Sequence, residues 1–299
     1  MSSDYEQIGL PPLVTGTTKV VGVMGHPVKH SLSPPMHNAA FRALGLDFCY
    51  VPFDVPREKV ADALRGLLAL GAVGTNVTIP LKQAAFEAMD RVSEHAAALG
   101  VVNTVVCAGE ELVGDNTDGP GFLRSLDEEG VDPAGRDIVI LGAGGAAKAI
   151  AHALAERRPA RLTIAARRPE QVEETVAGVA RRFPDVPVEG ADLLDPRQMN
   201  ALCLKAEMVV NATPLGMYPE DQAMPPVPEE ALHPGQVVCD IVYRPLETLL
   251  MRRARARGCQ VVGGAGMLVH QGAIAFEQWT GVAAPVEVMR RALLAQLRQ

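Results

Sequence analysis

The sequence predicts an α/β protein of two domains built on mostly parallel sheets. Three observations lead there. The chain has 299 residues, room for two hydrophobic cores at about 150 residues each. Hydrophobic residues make up 48% and charged residues 21%, a balance that folds and excludes disorder over most of the length. From Lys19 onward, short β-branched runs alternate with stretches of helical periodicity, the rhythm of strand–helix–strand units.

Taken in order, the residues up to about Thr17 lack the basic and apolar regions of a signal peptide, and a loose extension is expected there. Strands are predicted at 19–24, 48–53 and 73–79. Helices are predicted at 34–44 and 57–70, each with proline near its start, where the missing N–H costs nothing. The DGPG turn at 118–121 marks a domain boundary, with a helix at 122–129 leading into the second half. There the strands at 138–141, 161–165, 208–211, 237–242 and 260–262 alternate with helix-compatible stretches, a doubly wound pattern. The long apolar run 138–154 is broken by Lys148, His152 and clustered glycines, so it reads as strand, turn and helix rather than a membrane span. A Pro-rich surface loop is expected at 217–228. The tail beyond Gly263 is helical, with Met267, Leu268, Ile274, Phe276, Val288, Leu293 and Leu297 as the apolar positions that return it to the N-terminal half.

The net charge of −7 offers no field for polyanions, so a small-molecule site is expected rather than nucleic acid. Five scattered cysteines without a C-x-x-C pair read as reduced core thiols of a cytoplasmic protein.

Chemistry concentrates at a few turns. Gly142-Ala143-Gly144-Gly145-Ala146-Ala147 joins a strand to a helix in the G-x-G-x-x-A form, which lets backbone N–H groups approach a pyrophosphate at a helix N-terminus. The next strand ends in Arg167-Arg168 where an NAD enzyme carries an acid for the ribose hydroxyl, so a 2′-phosphate and NADP are expected. Ser31 and Ser33 precede a helix, where two hydroxyls hold a carboxylate or simply cap the helix. His26, His30 and His37 lie close in sequence but lack metal-ligand spacing, and no catalytic metal is expected. Lys82 closes the segment NVTIPLK in a chain that otherwise favours arginine. It is either a proton-transfer group or a solvated lysine at a helix start. Asn103-Thr104 and the run from Asp115 to Gly119 add polar groups at strand ends, where α/β sites are built.

In order along the chain, SLSP, NVTIPLK, VNT, NTDG, GAGGAA, NATPLGM, DIVYRPLET and GMLVHQG resemble the shikimate dehydrogenase family over residues 20–272. The resemblance implies a discontinuous N-terminal α/β substrate domain (1–118 plus 264–299), a Rossmann-type doubly wound NADP-binding domain (119–263), and a cleft between them. It implies Lys82 and Asp118 as the catalytic pair. Ser31, Ser33, Thr78, Asn103, Tyr243 and Gln271 become substrate-binding residues. Gly142, Ala143, Gly144, Gly145, Ala146, Arg167, Arg168, Thr213 and Gly264 become cofactor-binding residues. The implied reaction is reversible reduction of 3-dehydroshikimate to shikimate in aromatic amino-acid biosynthesis. Its partners are the small-molecule substrate and NADP, with a homodimer allowed and neither nucleic acid nor membrane involved. Where the family's cofactor clamp reads Asn-Arg-Thr with a basic residue three positions on, this chain has Ala166-Arg167-Arg168 and Gln171, so Arg167 keeps the central contact. Two other readings stay open: a quinate/shikimate dehydrogenase with looser cofactor choice, and a non-catalytic NADP- or metabolite-sensing homologue. Retention of both Lys82 and Asp118 argues against the second.

Overall fold

The computed structural model describes residues 14–298. In the first half the elements are β1 (Lys19–Gly25), α1 (Ser33–Ala43), β2 (Phe48–Asp54), α2 (Val60–Ala69), β3 (Gly74–Val77), α3 (Lys82–Glu87), β4 (Arg91–Val92), α4 (Glu94–Leu99), β5 (Thr104–Ala108), β6 (Glu111–Asp115) and α5 (Asp118–Glu128). The second half continues with β7 (Asp137–Leu141), α6 (Gly145–Glu156), β8 (Arg161–Ala166), α7 (Pro169–Arg182), β9 (Val188–Asp192), α8 (Pro196–Lys205), β10 (Met208–Asn211), β11 (Val237–Asp240), α9 (Leu249–Ala256) and β12 (Gln260–Gly263), and two helices, α10 (Gly264–Thr280) and α11 (Val286–Leu297), close the chain.

These strands make two six-stranded sheets, ordered β2-β1-β3-β5-β6-β4 and β12-β11-β10-β7-β8-β9. The second is parallel throughout. Its order reverses between β7 and β10, and a crevice opens at such a switch point beyond the carboxyl ends of the strands. Ile138 and Ile140 face one core while Val139 and Leu141 face the other, so β7 is covered on both sides by helices. The first sheet is less parallel than predicted. β3–β5 and β5–β6 are antiparallel; for the second pair only Gly109 and Glu110 form the link, and a parallel crossover needs about a dozen residues.

The tail returns as expected: Val269, Phe276, Trp279, Met289 and Leu293 share a core with Val21, Met36, Phe41 and Tyr50. Where α10 crosses α5 the backbones nearly touch, since a Cβ on Gly121 would lie 2.6 Å from the Gln271 nitrogen. This crossing fixes both helix starts against the cleft described below.

Several expectations are corrected. The predicted extension lies outside the described residues up to position 13, and from Thr15 on it is not loose: the Thr17 and Thr18 hydroxyls donate to Asp47 at 2.7 and 2.6 Å. The strand expected at 73–79 stops at Val77, where the chain turns, Leu81 N–H bonding the Thr78 carbonyl at 2.9 Å. The 217–228 segment has no helix or strand but is not wholly superficial, because Val227 is buried in the second core. All five cysteines are free thiols, but only Cys203, Cys239 and Cys259 are buried, and Cys49 and Cys107 are half-buried rather than in the core. Among the described residues no helix is long and apolar enough to cross a membrane.

Candidate active site

Lys82 stands one turn beyond the strand end predicted for it, as the first residue of α3. It is no solvated lysine: its side chain is 14% exposed and donates a hydrogen bond to Asp118 Oδ2, whose own side chain is 8% exposed. The two are 36 residues apart in sequence and meet because α5 begins at Asp118 beside the first sheet.

The carboxylate is oriented by a forced arrangement of amides. Thr117 N–H donates to Asn103 Oδ1 at 2.8 Å, and a backbone N–H has no other role. Asn103 must therefore turn Nδ2 toward Asp118 Oδ1, also at 2.8 Å. Asn116 Oδ1 accepts from the Asp118 N–H at 3.1 Å. Asp118 thus accepts at both oxygens, one from an amide and one from an ammonium.

Around this pair opens a cleft lined also by Ser31, Ser33, Thr78, Asn103, Tyr243, Gly264 and Gln271, so every residue expected at the substrate is present in it. Capping accounts for only one of the serines: Ser31 Oγ accepts the first N–H of α1, that of Ser33, at 3.3 Å, while Leu32 holds the N-cap position and no side-chain cap bond comes from Ser33. Tyr243 enters from the loop after β11, and burial pushes its phenol pKa up. Gln271 arrives on α10 with Nε2 donated to the Leu268 carbonyl at 2.8 Å. Gly264 opens that helix where a Cβ would lie 2.2 Å from the Ile241 carbonyl oxygen.

Sequence reasoning missed Asn76, Met267, Leu268 and Ile241, which also line the cleft. Asn76 had a signal, being a polar residue in a strand whose every position is buried. The three apolar ones had none, since nothing local distinguishes them from core residues.

At the switch point, Gly142 has φ +110, and a Cβ there would sit 2.9 Å from the Ala212 carbonyl oxygen. At Gly144 a Cβ would meet nothing within 4 Å, so packing does not demand a glycine there; a backbone bared to a pyrophosphate does. Gly144 is the N-cap of α6 and has no side-chain cap, leaving first-turn N–H groups for an anion. The turn is pinned by Gly142 N–H bonding the Ala165 carbonyl at 2.7 Å, which brings the end of β8 alongside. Arg167 and Arg168 follow that end, both exposed and neither ion-paired among the described residues. Thr213 sits after β10, its hydroxyl donating to Asn211 Oδ1 at 2.7 Å. Ala143 is buried under the loop and Ala146 half-buried in the first turn. These residues fit a dinucleotide bearing an extra phosphate. The loop adjoins the Lys82–Asp118 pair, since a Cβ on Gly145 would lie 3.6 Å from Lys82 Cδ.

Asp240 ties the neighbouring loops together, accepting from Asn211 Nδ2 at 2.9 Å, Thr248 Oγ1 at 2.7 Å and Val242 N–H at 3.0 Å. Burial outweighs those donors and raises its pKa to about 6. The three N-terminal histidines do not converge: His26 pairs with Asp54, His30 is exposed, and His37 lies in the core. Among the described residues no three His, Cys, Asp or Glu side chains are grouped to hold a metal.

Comparison with known proteins starts from this geometry. A profile described as the shikimate dehydrogenase substrate binding domain matches residues 23–105, and one described as the shikimate 5′-dehydrogenase C-terminal domain matches 264–294. A shikimate dehydrogenase (NADP(+)) of Methanopyrus kandleri is 46% identical over 287 residues, covering 95% of this chain and 98% of that one. The chain belongs to the shikimate dehydrogenase family. A second shikimate dehydrogenase (NADP(+)), from Symbiobacterium thermophilum, is 49% identical over 283 residues, covering 94% of this chain and 96% of that one. The crystal structure of a shikimate dehydrogenase in complex with NADP+ superposes with a TM-score of 0.89 at 39% identity, covering 96% and 98% of the two chains. Between the two shikimate dehydrogenase profiles, a profile described as the saccharopine dehydrogenase NADP binding domain matches 138–216.

Proposed function

We propose that this chain reversibly reduces 3-dehydroshikimate to shikimate with NADPH at the Lys82–Asp118 pair. The observation that carries the reading is the meeting of that ion pair and two serine hydroxyls in one cleft, with a glycine turn beside the lysine. Residues 142–146, Arg167, Arg168, Thr213 and Gly264 would hold NADPH, which would supply the hydride. Charge then develops on the carbonyl oxygen, where the Lys82 ammonium stabilises it and delivers a proton. Asp118 holds that lysine and accepts from a neighbouring substrate hydroxyl, so the two act as one coupled unit. Ser31 and Ser33 take the carboxylate near the start of α1, and Thr78, Asn103, Tyr243 and Gln271 enclose the ring.

The domain division at 1–118 plus 264–299 and 119–263 suits this reading, because α5 and α10 begin at its two cuts and meet at the cleft. A cytoplasmic location, no nucleic-acid partner and a homodimer as the allowed assembly complete it.

The test is NADP reduction followed by absorbance with shikimate and quinate in parallel. Quinate's carboxylate-bearing carbon is tetrahedral and carries an added hydroxyl, so a pocket fitted to shikimate leaves polar groups poorly paired, at about 1 to 3 kcal/mol or roughly 5- to 150-fold in kcat/KM. Equal kcat/KM for the two acids identifies a quinate/shikimate enzyme, and turnover of neither identifies a sensor.

A further inference from the structure

Tyr50 does not line the cleft, yet it touches two groups that do. It lies in β2, 2% exposed. Its Oη donates to Asn76 Oδ1 at 2.8 Å, and the Ser33 hydroxyl lies beside the same phenol. Ser33 and Asn76 both face the cleft.

The bond to Asn76 has consequences further along. With Oδ1 engaged by the phenol, Asn76 turns Nδ2 toward the Asn103 carbonyl at 3.2 Å and Thr104 Oγ1 at 3.1 Å. Thr104 Oγ1 in turn donates to Asn103 Oδ1 at 2.9 Å, and Asn103 Nδ2 holds Asp118. One phenol therefore sits between the serine at one end of the cleft and the amide chain that ends at the Lys82–Asp118 pair.

Its own position is over-determined. Asn38 clamps the Tyr50 backbone, donating Nδ2 to the carbonyl and accepting from the N–H, both at 2.8 Å. The His37 ring stacks on the phenol at 4.3 Å between centroids with 4° between planes. A fully buried phenol of this kind needs a polar partner, so a phenylalanine fills the stack equally well but strands Asn76 Oδ1.

We propose that Tyr50 is a positioning residue for substrate, fixing the separation between the carboxylate-holding serine and the reacting pair. This rests on the assignment of Ser33 to the substrate carboxylate, and the experiment separates the two.

In Tyr50→Phe the KM for shikimate rises about tenfold, kcat falls less than KM rises, and the KM for NADP stays within about twofold. A merely structural tyrosine lowers the melting temperature and leaves both KM values unchanged at 25 °C. Ser33→Ala is measured beside it, together with the double variant. If Ser33→Ala leaves the shikimate KM unchanged, the carboxylate assignment fails and the inference with it. If Ser33→Ala raises KM and Tyr50→Phe does not, the inference alone is overturned. If both do, a double variant no worse than Ser33→Ala supports action through the serine, whereas multiplied effects overturn it. Thr104→Val cuts the other arm without disturbing the phenol. It is expected to lower kcat severalfold with KM little changed, and an unaltered kcat overturns the link to Asp118.

Discussion

Replacing Asp118 with asparagine isolates the charge at the centre of the site while keeping its shape. The carboxylate accepts Asn103 Nδ2 at 2.8 Å on one oxygen and the Lys82 ammonium on the other. An amide has one oxygen to offer. If it faces Lys82, two NH2 groups confront each other across the Asn103 contact, and Asn103 cannot flip because Thr117 N–H holds its oxygen at 2.8 Å. If it faces Asn103, an NH2 group meets the ammonium. Either way a buried donor loses its acceptor, at about 1 to 3 kcal/mol, and the carboxylate charge that pairs with Lys82 goes too, at about 1.5 to 3 kcal/mol. The second loss bears on the transition state and predicts a fall in kcat of about 10- to 150-fold. The KM for NADP is expected to hold, because the glycine loop and Arg167 are untouched. Steady-state kinetics with shikimate, with a thermal melt to establish folding, is the assay. A folded Asp118→Asn enzyme with kcat within about threefold of the parent would falsify the role given to this carboxylate.

Lys82→Ala is expected to lower kcat by at least about 10²-fold, and Lys82→Ala/Asp118→Asn by little more than the worse single change, since the pair acts as a unit; multiplied losses in the steady-state kinetics count against coupling. Arg167→Ala is expected to raise the KM for NADP at least tenfold and hardly alter that for NAD, whereas equal loss with both cofactors makes the arginine structural. Gly121→Ala forces a Cβ to within 2.6 Å of the Gln271 nitrogen, so the melting temperature is expected to drop, by about 1 to 3 kcal/mol of stability, and the shikimate KM to rise; an unchanged melt and KM show slack between α5 and α10. Burial lowers the His37 pKa from 6.5 to about 3, so between those values the unfolded chain binds more protons than the folded one. His37 therefore contributes stability that is fully present above pH 6.5 and drains as pH falls toward 3, at up to about 1.4 kcal/mol per unit. Urea titrations at pH 7.5 and 5 on the parent and His37→Phe read it directly, and equal pH dependence in both proteins removes His37 from the effect.

Local chemistry made much of this protein legible before folding. The α/β rhythm, the strands of the second sheet around the glycine turn, and the return of the tail follow from apolar periodicity and turn residues, which act over a few positions. The GAGGAA turn needs only its own glycines and the helix after it, so its role could be read in place. β9 was invisible, because an edge strand reading VEGAD with one buried residue carries no alternation. The antiparallel pairing of β5 with β6 was missed as well, because the stretch 104–115 was given no pair of strands, only polar groups at strand ends. Lys82 and Asp118 were marked by their motifs, but their contact, and the Thr117 N–H that decides which way Asn103 faces, depend on chain brought together from different elements. Tyr50 was not singled out, and His37 was weighed only with His26 and His30 as a metal site. A hydrogen bond between distant segments leaves no periodic trace in either, so only the tertiary structure determined that one phenol joins both ends of the cleft.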